Sequence, residues 1–270
     1  MKLLYRSAAL LLAFFISAFT LAAKENPVRV GSLLQNSTRV VLSCKNVVAS
    51  MAWWTRLGFT PTADGMKRPD SAITLTDNQI LLTLVKDSQP SPVLMFGVSN
   101  IRTVKDSLDS LRVPLKYDVE GPTLGEIRLQ SPAGIFLAIR PSAQEPIIPV
   151  TGDSNSVCGR LTEFSVSTPS LQQELTFWDK LSFTPVRSSM QPYPFSLVSD
   201  GHFTIGIHES RDIPSVALTF FAADMADRIE RLKKQGITFS EELKSDAGIT
   251  EHAFLTSPDG QLVLLFTGNQ

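Results

Sequence analysis

From Arg39 to Cys44 apolar and polar residues alternate, with Val40, Leu42 and Cys44 on one side, as in a strand packed on a core. Val48–Leu57 then sets Met51, Trp54 and Leu57 at helical spacing, and Gly58 follows where a left-handed residue ends a helix. Ala72–Thr76 and Gln79–Lys86 read as strands joined by an Asp77-Asn78 turn. Strand Val93–Val98 and helix Ile101–Leu111 restart the order, followed by strands near Leu115–Val119, Glu126–Gln130 and Ile135–Arg140. Next come strand Glu163–Thr168, helix Leu171–Leu181, and strands near Pro185–Ser188, Phe195–Val198 and Phe203–His208. The chain closes with strand Val216–Phe221, helix Met225–Gln235, and strands near Thr238–Glu241, His252–Leu255 and Leu262–Phe266. This order predicts an α+β chain of four βαβββ units, two in each half.

The halves are copies. Trp53-Trp54-Thr55-Arg56-Leu57-Gly58-Phe59-Thr60-Pro61 recurs 124 residues later as Phe177-Trp178-Asp179-Lys180-Leu181-Ser182-Phe183-Thr184-Pro185. Leu129-Gln130-Ser131-Pro132-Ala133-Gly134 recurs 126 residues later as Leu255-Thr256-Ser257-Pro258-Asp259-Gly260. Two matches at nearly one offset argue for duplication better than either alone. Residues 142–160, rich in Pro, Ser and Gly, read as a linker.

Residues 1–23 change where the chain is expected to act. Lys2 and Arg6 precede an apolar run from Ala8 to Phe19, and Thr20-Leu21-Ala22 supplies small residues before a cut. That is the pattern of a signal peptide, so export to a periplasm or secretion is expected. An uncleaved anchor is the other reading, disfavoured because the run falls short of the roughly 20 residues of a stable span. The formal net charge is -1, and loss of Lys2 and Arg6 takes it to -3. No basic run follows, which argues against nucleic acid and, once the leader is gone, against membrane as partners. Two cysteines in 270 residues exclude a disulfide framework and a cysteine-rich metal site. Cys44 is expected to be a buried free thiol; a bridge to Cys158 needs a particular packing of the halves.

The unit order, Ser50-x-x-Trp53-Trp54-x-x-Leu57-Gly58-Phe59 and Ser257-Pro258-Asp259-Gly260-Gln261 together resemble the vicinal oxygen chelate superfamily of glyoxalases, bleomycin-resistance proteins and extradiol dioxygenases. The resemblance covers residues 38–141 and 161–268, and implies two tandem glyoxalase-like domains, each with a concave β-cup. It also implies a divalent metal held by His, Gln or Glu at the start of each unit's first strand and near the end of its last. In the first half those slots fall on Arg39, Val93 and Ala138, none of which can ligate a metal. In the second half they fall on Glu163, Ala217 and Leu264, of which only Glu163 can.

Alternation through Phe203–His208 puts His202, Thr204, Gly206 and His208 on the cup face, with Glu163 and Ser165 beside them. Glu163 and His208 form a two-ligand remnant, to which His252 could add a third. Phe254 shares parity with His252, making the second cup the better ligand site. Arg39 could clamp a carboxylate or phosphate, against the blander reading of a strand-end cation reaching solvent. Trp53, Trp54, Phe177 and Trp178 read as core, not as a stacking platform. Asp64 and Asp70 read as solvated turn residues. No P-loop, H-E-x-x-H or G-x-S-x-G motif is present.

Degraded ligand slots on an intact fold lead us to expect a small-molecule binder that uses no metal or other cofactor, with Arg39, Glu163, His202, His208, His252 and Phe254 as ligand-binding candidates. The alternative is a divalent-metal enzyme (lyase, isomerase or dioxygenase) using Glu163 and His208 in the second half. A scaffold with vestigial cups is a third reading without a feature of its own.

Overall fold

The computed structural model describes residues 34, 37–62, 71–87, 90–119, 124–142, 154–191, 193–210 and 216–268. The leader, Asp64, Asp70 and most of the linker lie outside them. The first half runs β1 (Ser37–Cys44), α1 (Val47–Arg56), β2 (Thr60–Pro61), β3 (Ala72–Thr76), β4 (Leu81–Lys86), then β5 (Val93–Val98), α2 (Ile101–Ser110), β6 (Leu115–Val119), β7 (Glu126–Gln130) and β8 (Phe136–Pro141). The second half repeats it. It runs β9 (Arg160–Ser167), α3 (Leu171–Lys180), β10 (Thr184–Ser189), β11 (Phe195–Ser199), β12 (Thr204–His208), then β13 (Val216–Ala222), α4 (Met225–Lys234), β14 (Glu241–Lys244), β15 (Thr250–Thr256) and β16 (Leu262–Thr267).

Each half forms one eight-stranded sheet, ordered β2-β3-β4-β1-β5-β8-β7-β6 and β10-β11-β12-β9-β13-β16-β15-β14. The first strands of the two units pair antiparallel at the centre, and each pairs parallel with the last strand of its own unit. Helices start where polar side chains take up their free N–H groups: Asn46 accepts from Ala49, Asn100 from Arg102 and Thr103, and Ser170 from Gln173. After α1, Gly58 turns at φ 97, and a Cβ there would collide with the backbone of Asn155 and Ser156, so only glycine fits.

Alternate strand residues separate cleanly between two faces. Val40, Leu42, Phe96, Phe164, Val166, Ile205, Leu218 and Leu265 join the helices in a single core that runs through both halves. Phe96 of the first half meets Phe183 of the second edge to face, centroids 6.3 Å apart. Opposite strand faces form two small separate clusters, Val41–Met95–Ala138 and Ala217–Phe254–Leu264–Phe266, one inside each cup.

The halves are also joined by two matching helix–hairpin contacts. Ser50 of α1 donates to Asp259 in the β15–β16 hairpin. At the equivalent place Glu174 of α3 accepts from Ser131 Oγ (3.1 Å) and the Ala133 N–H in the β7–β8 hairpin. The carboxylate sits on the hairpin in one contact and on the helix in the other. Glu174 is fully buried and also accepts from Trp178 Nε1 at 2.8 Å; burial pushes its carboxyl up, against these three donors.

Sequence and structure differ at the sheet edges and in the linker. β2 is two residues long and carries no alternation to read. The strand expected at Thr238–Glu241 begins instead at Glu241, because Ile237 is buried and Phe239 packs against the core while the chain crosses from α4 to the edge. Residues 154–159 are docked, with Ser156 Oγ donating to the Leu57 carbonyl at 3.0 Å and Asn155 N–H to that of Asp77 at 2.8 Å. Cys44 and Cys158 are both buried and unbridged, and burial pushes the Cys158 thiol up to about 12. No helix among the described residues is long and apolar enough to cross a membrane.

Candidate functional site in the second cup

Phe164 and Val166 face the core, so Glu163 and Ser165 face the cup from β9; Ile205 and Ile207 do the same for Thr204, Gly206 and His208 on β12. Glu163 and His208 are brought together there. His208 Nε2 lies 3.0 Å from Glu163 Oε1, and both side chains are almost wholly buried. Ser165 Oγ donates to the same oxygen at 2.6 Å, and, its proton being so used, accepts from Thr219 Oγ1 at 2.5 Å. Gly206 makes the room: a Cβ there would overlap the Glu163 carboxylate.

Burial by itself would raise the Glu163 carboxyl. The charge and hydrogen bond of His208, with Ser165 and the charge of Arg187, outweigh it and hold the group below the usual carboxylate range. An ionised carboxylate can only accept, so His208 Nε2 carries the proton and Nδ1 is the nitrogen left toward Tyr193, whose hydroxyl is 3.5 Å away. Phe195, directly opposite His208 in the β11–β12 ladder, stacks on its ring at 5.8 Å and 16°. The result is an imidazole fixed by a carboxylate on one side and aromatic rings on the others.

The rest of the concave face is apolar. Ala217, Phe254, Leu264 and Phe266 form its wall, with half-buried Phe221, Leu243, Leu262 and Tyr193 packed on them. Tyr193 touches both parts: its ring belongs to the wall and its hydroxyl faces His208. The cup is therefore amphipathic, one corner of hydrogen-bonding groups beside a hydrocarbon wall.

The remaining sequence candidates fall as follows. Phe254 lies in the wall. His252 is half-buried beside Phe266, its Nδ1 accepting from the Thr267 N–H at 3.1 Å, and burial lowers it against the opposing charge of Glu251. It does not complete a ligand set, since among the described residues no three His, Cys, Asp or Glu side chains gather. His202 is outside the cup; it is exposed in the turn before β12, its N–H bonded to Asp200, because alternation begins only at Thr204. Arg39 lies on the concave face of the first cup and is buried, which corrects the reading that it reaches solvent. The slot read as Ala217 is Thr219, which pairs with both Glu163 and Leu264, and the one read as Val93 is Met95, opposite Arg39. The sequence reading missed Tyr193, Phe195 and Thr219. Only Phe195, by parity with a cup-facing neighbour strand, carried a signal.

Comparison with solved structures places this architecture. A Mn(II)-bound glyoxalase from Novosphingobium aromaticivorans superposes with a TM-score of 0.59 at 14% identity, over 88% of this chain and 83% of that one. The 2,3-dioxygenase LapB from Pseudomonas sp. KL28 gives 0.57 at 13% over 87% and 92%. Homoprotocatechuate 2,3-dioxygenase from Arthrobacter globiformis gives 0.57 at 11% over 87% and 80%. The chain has the tandem vicinal oxygen chelate fold. No family model and no curated protein matches its sequence.

The metal that the fold implies can be tested against the residues in its slots. Across the second cup these are Glu163, Thr219 and Leu264, with His208 added from β12. Leu264 offers no donor and is packed among Ala217, Phe254 and Phe266. A catalytic divalent centre takes three protein ligands and an open position, and this set supplies two strong donors already bonded to each other. The residues do not fit it.

Proposed function

We propose that the second cup is the working site and takes one small organic molecule, its apolar body on the Phe254–Leu264–Phe266 wall and a hydrogen-bonding group at His208 and Tyr193. The observation that carries this is Tyr193, which joins the wall to the Glu163–His208 pair. With Glu163 fixing Nε2–H, His208 Nδ1 faces Tyr193, and in the neutral ring it accepts a hydrogen bond from a ligand hydroxyl, whereas in the charged ring it donates one to a ligand oxygen. The leader supports a site of action outside the cytoplasm; N-terminal sequencing of the exported protein should begin at Ala23 or Lys24.

A second reading has its own support. The solved structures sharing this fold include a Mn(II)-bound glyoxalase and several dioxygenases, so the comparisons weigh toward a divalent-metal enzyme over a metal-free binder. In this chain Glu163 and His208 are the donors such an enzyme would have to use. Metal analysis and melting of the mature protein with added Mn(II) or Zn(II) separate the readings. The donor set predicts no stoichiometric metal and no stabilisation. One metal per chain, lost in Glu163→Ala, establishes the metal reading; native binding at a hundredfold excess over Kd would stabilise by about 2.7 kcal/mol.

A further inference from the structure

The first cup carries the opposite charge at the equivalent point, and we infer that it is a receptor for an organic anion: a carboxylate or phosphate on an apolar body of several carbons. Arg39 and Glu163 are matching residues of the duplication. Each stands on the first strand of its half, Arg39 paired across to Met95 as Glu163 is to Thr219, and each is 6% exposed. A buried cation replaces a buried anion at one point of a repeated sheet.

Two more guanidiniums share the same concave face. Ile127 and Leu129 of β7, and Leu137 and Ile139 of β8, turn into the core, which leaves Arg128 and Arg140 on the cup side. Both donate to buried Glu126, whose carboxyl they hold below its usual range against the raising effect of burial. Their side chains remain 41% and 34% exposed, so this end of the cup opens to water. A guanidinium has five N–H donors in a planar fork, so a contact within the protein leaves others for a ligand's oxygens. Arg39, Met95, Ala138 and Arg128 follow one another across the sheet, so the apolar floor of Val41, Met95 and Ala138, with Val85 and Val93 against it, lies between buried Arg39 and the two rim cations. Hydrocarbon flanked by cations suits an amphiphilic anion, the oxygens bound bidentate at Arg39 and the chain lying over Met95 toward the open rim.

The inference is independent of the second cup, and its test keeps the two apart. Octanoate, octyl phosphate and neutral octanol are titrated into the protein at low salt, with binding read by calorimetry and by melting temperature. One equivalent of at least one anion should bind through Arg39, weakening as NaCl is added, while any octanol that binds should be indifferent to NaCl and to Arg39→Met; the preferred anion identifies the headgroup. Arg39→Met should abolish binding and Arg39→Lys weaken it about tenfold, through loss of the fork. If Arg39→Met fails to fold, Arg128→Gln on the open rim should fold and bind more weakly. Tyr193→Phe, which removes a single hydroxyl from the second cup and leaves the Glu163–His208 pair intact, should leave anion binding unchanged. Octanol binding that Arg39→Met removes, no binding of either anion, indifference to both Arg39→Met and Arg128→Gln, or loss in Tyr193→Phe would each overturn it.

Discussion

His208 and Glu163 are buried together, each the other's nearest partner of opposite charge, with Ser165 and the charge of Arg187 adding to the compensation of Glu163. Removing one partner of a buried pair costs about 3–5 kcal/mol, far more than the pair itself contributes. His208→Ala should therefore lower the urea midpoint sharply, and the combined His208→Ala, Glu163→Ala change should recover part of the loss; additive losses would mean the two are not coupled. Acid should act on the same residues. Glu163 and Glu126 are held below the range of the unfolded chain, so their stabilisation is full above about pH 4.3 and is lost as pH falls through their folded values. His252, lowered by burial, adds a loss that begins as pH falls through about 6.5, where the unfolded chain binds a proton that the fold resists. Glu174 is raised, so it runs the other way: its contribution is full below about pH 4.3 and is lost as pH rises toward its folded value. Between pH 7 and about pH 4.3 His252 and Glu174 therefore oppose each other, and below about pH 4.3 the losses at Glu163 and Glu126 stand alone, so the urea midpoint should fall as pH is taken below about 4.3, measurable by denaturation at each pH; a rise there would contradict these assignments.

Among the elements, β12 is the one that the site depends on most closely. Gly206 gives its space to the Glu163 carboxylate, so Gly206→Ala must push the carboxylate off His208 or bend the strand. A loss of about 1–3 kcal/mol is expected, with the His208 ring resonances displaced; wild-type stability and spectra would show that the carboxylate has another seat. The same strand marks how far the sequence could be read. Ile205 and Ile207 alternate with His208, and that pattern placed His208 beside Glu163 correctly. Extending it two residues back put His202 in the cup, although the strand starts at Thr204 and His202 belongs to the turn. Thr219 was mistaken for Ala217 because both are on the same face, and the slip in pairing between Thr219 and Phe220 has no signature in composition. Tyr193 stands between prolines in a loop, where no period reports direction. Duplication and alternation are written along the chain, whereas register and loop contacts are settled by packing across it.

At the scale of the molecule the halves stand or fall together. Trp178 and Phe183 of the second half, with Cys158 of the linker, lie in the same core as Trp54, Phe59 and Phe96 of the first, and two of the three donors to Glu174 come from the first-half hairpin. Tandem domains over residues 38–141 and 161–268 would each be expected to fold alone; the shared core leads instead to the expectation that a fragment of residues 161–268 lacks a cooperative transition, while the whole chain unfolds in one. Calorimetry of both decides it, and a sharp, reversible transition in the fragment would restore the independent domain. The duplicated halves thus share one core and hold two differently charged cups, Arg39 in one and Glu163 in the other.

The three histidines make the central claim directly measurable, since they lie at the polar corner of the second cup (His208), beside its apolar wall (His252) and outside it (His202). Imidazole nitrogen NMR, with each signal assigned by substitution, can follow all three while single-ring alcohols, amides and acids are titrated in. A small molecule seated across wall and corner should move His208 and His252 together and saturably, and leave His202 still. If every compound in the panel leaves His208 unmoved, or saturable binding shifts His202 alone, the second cup is not the site.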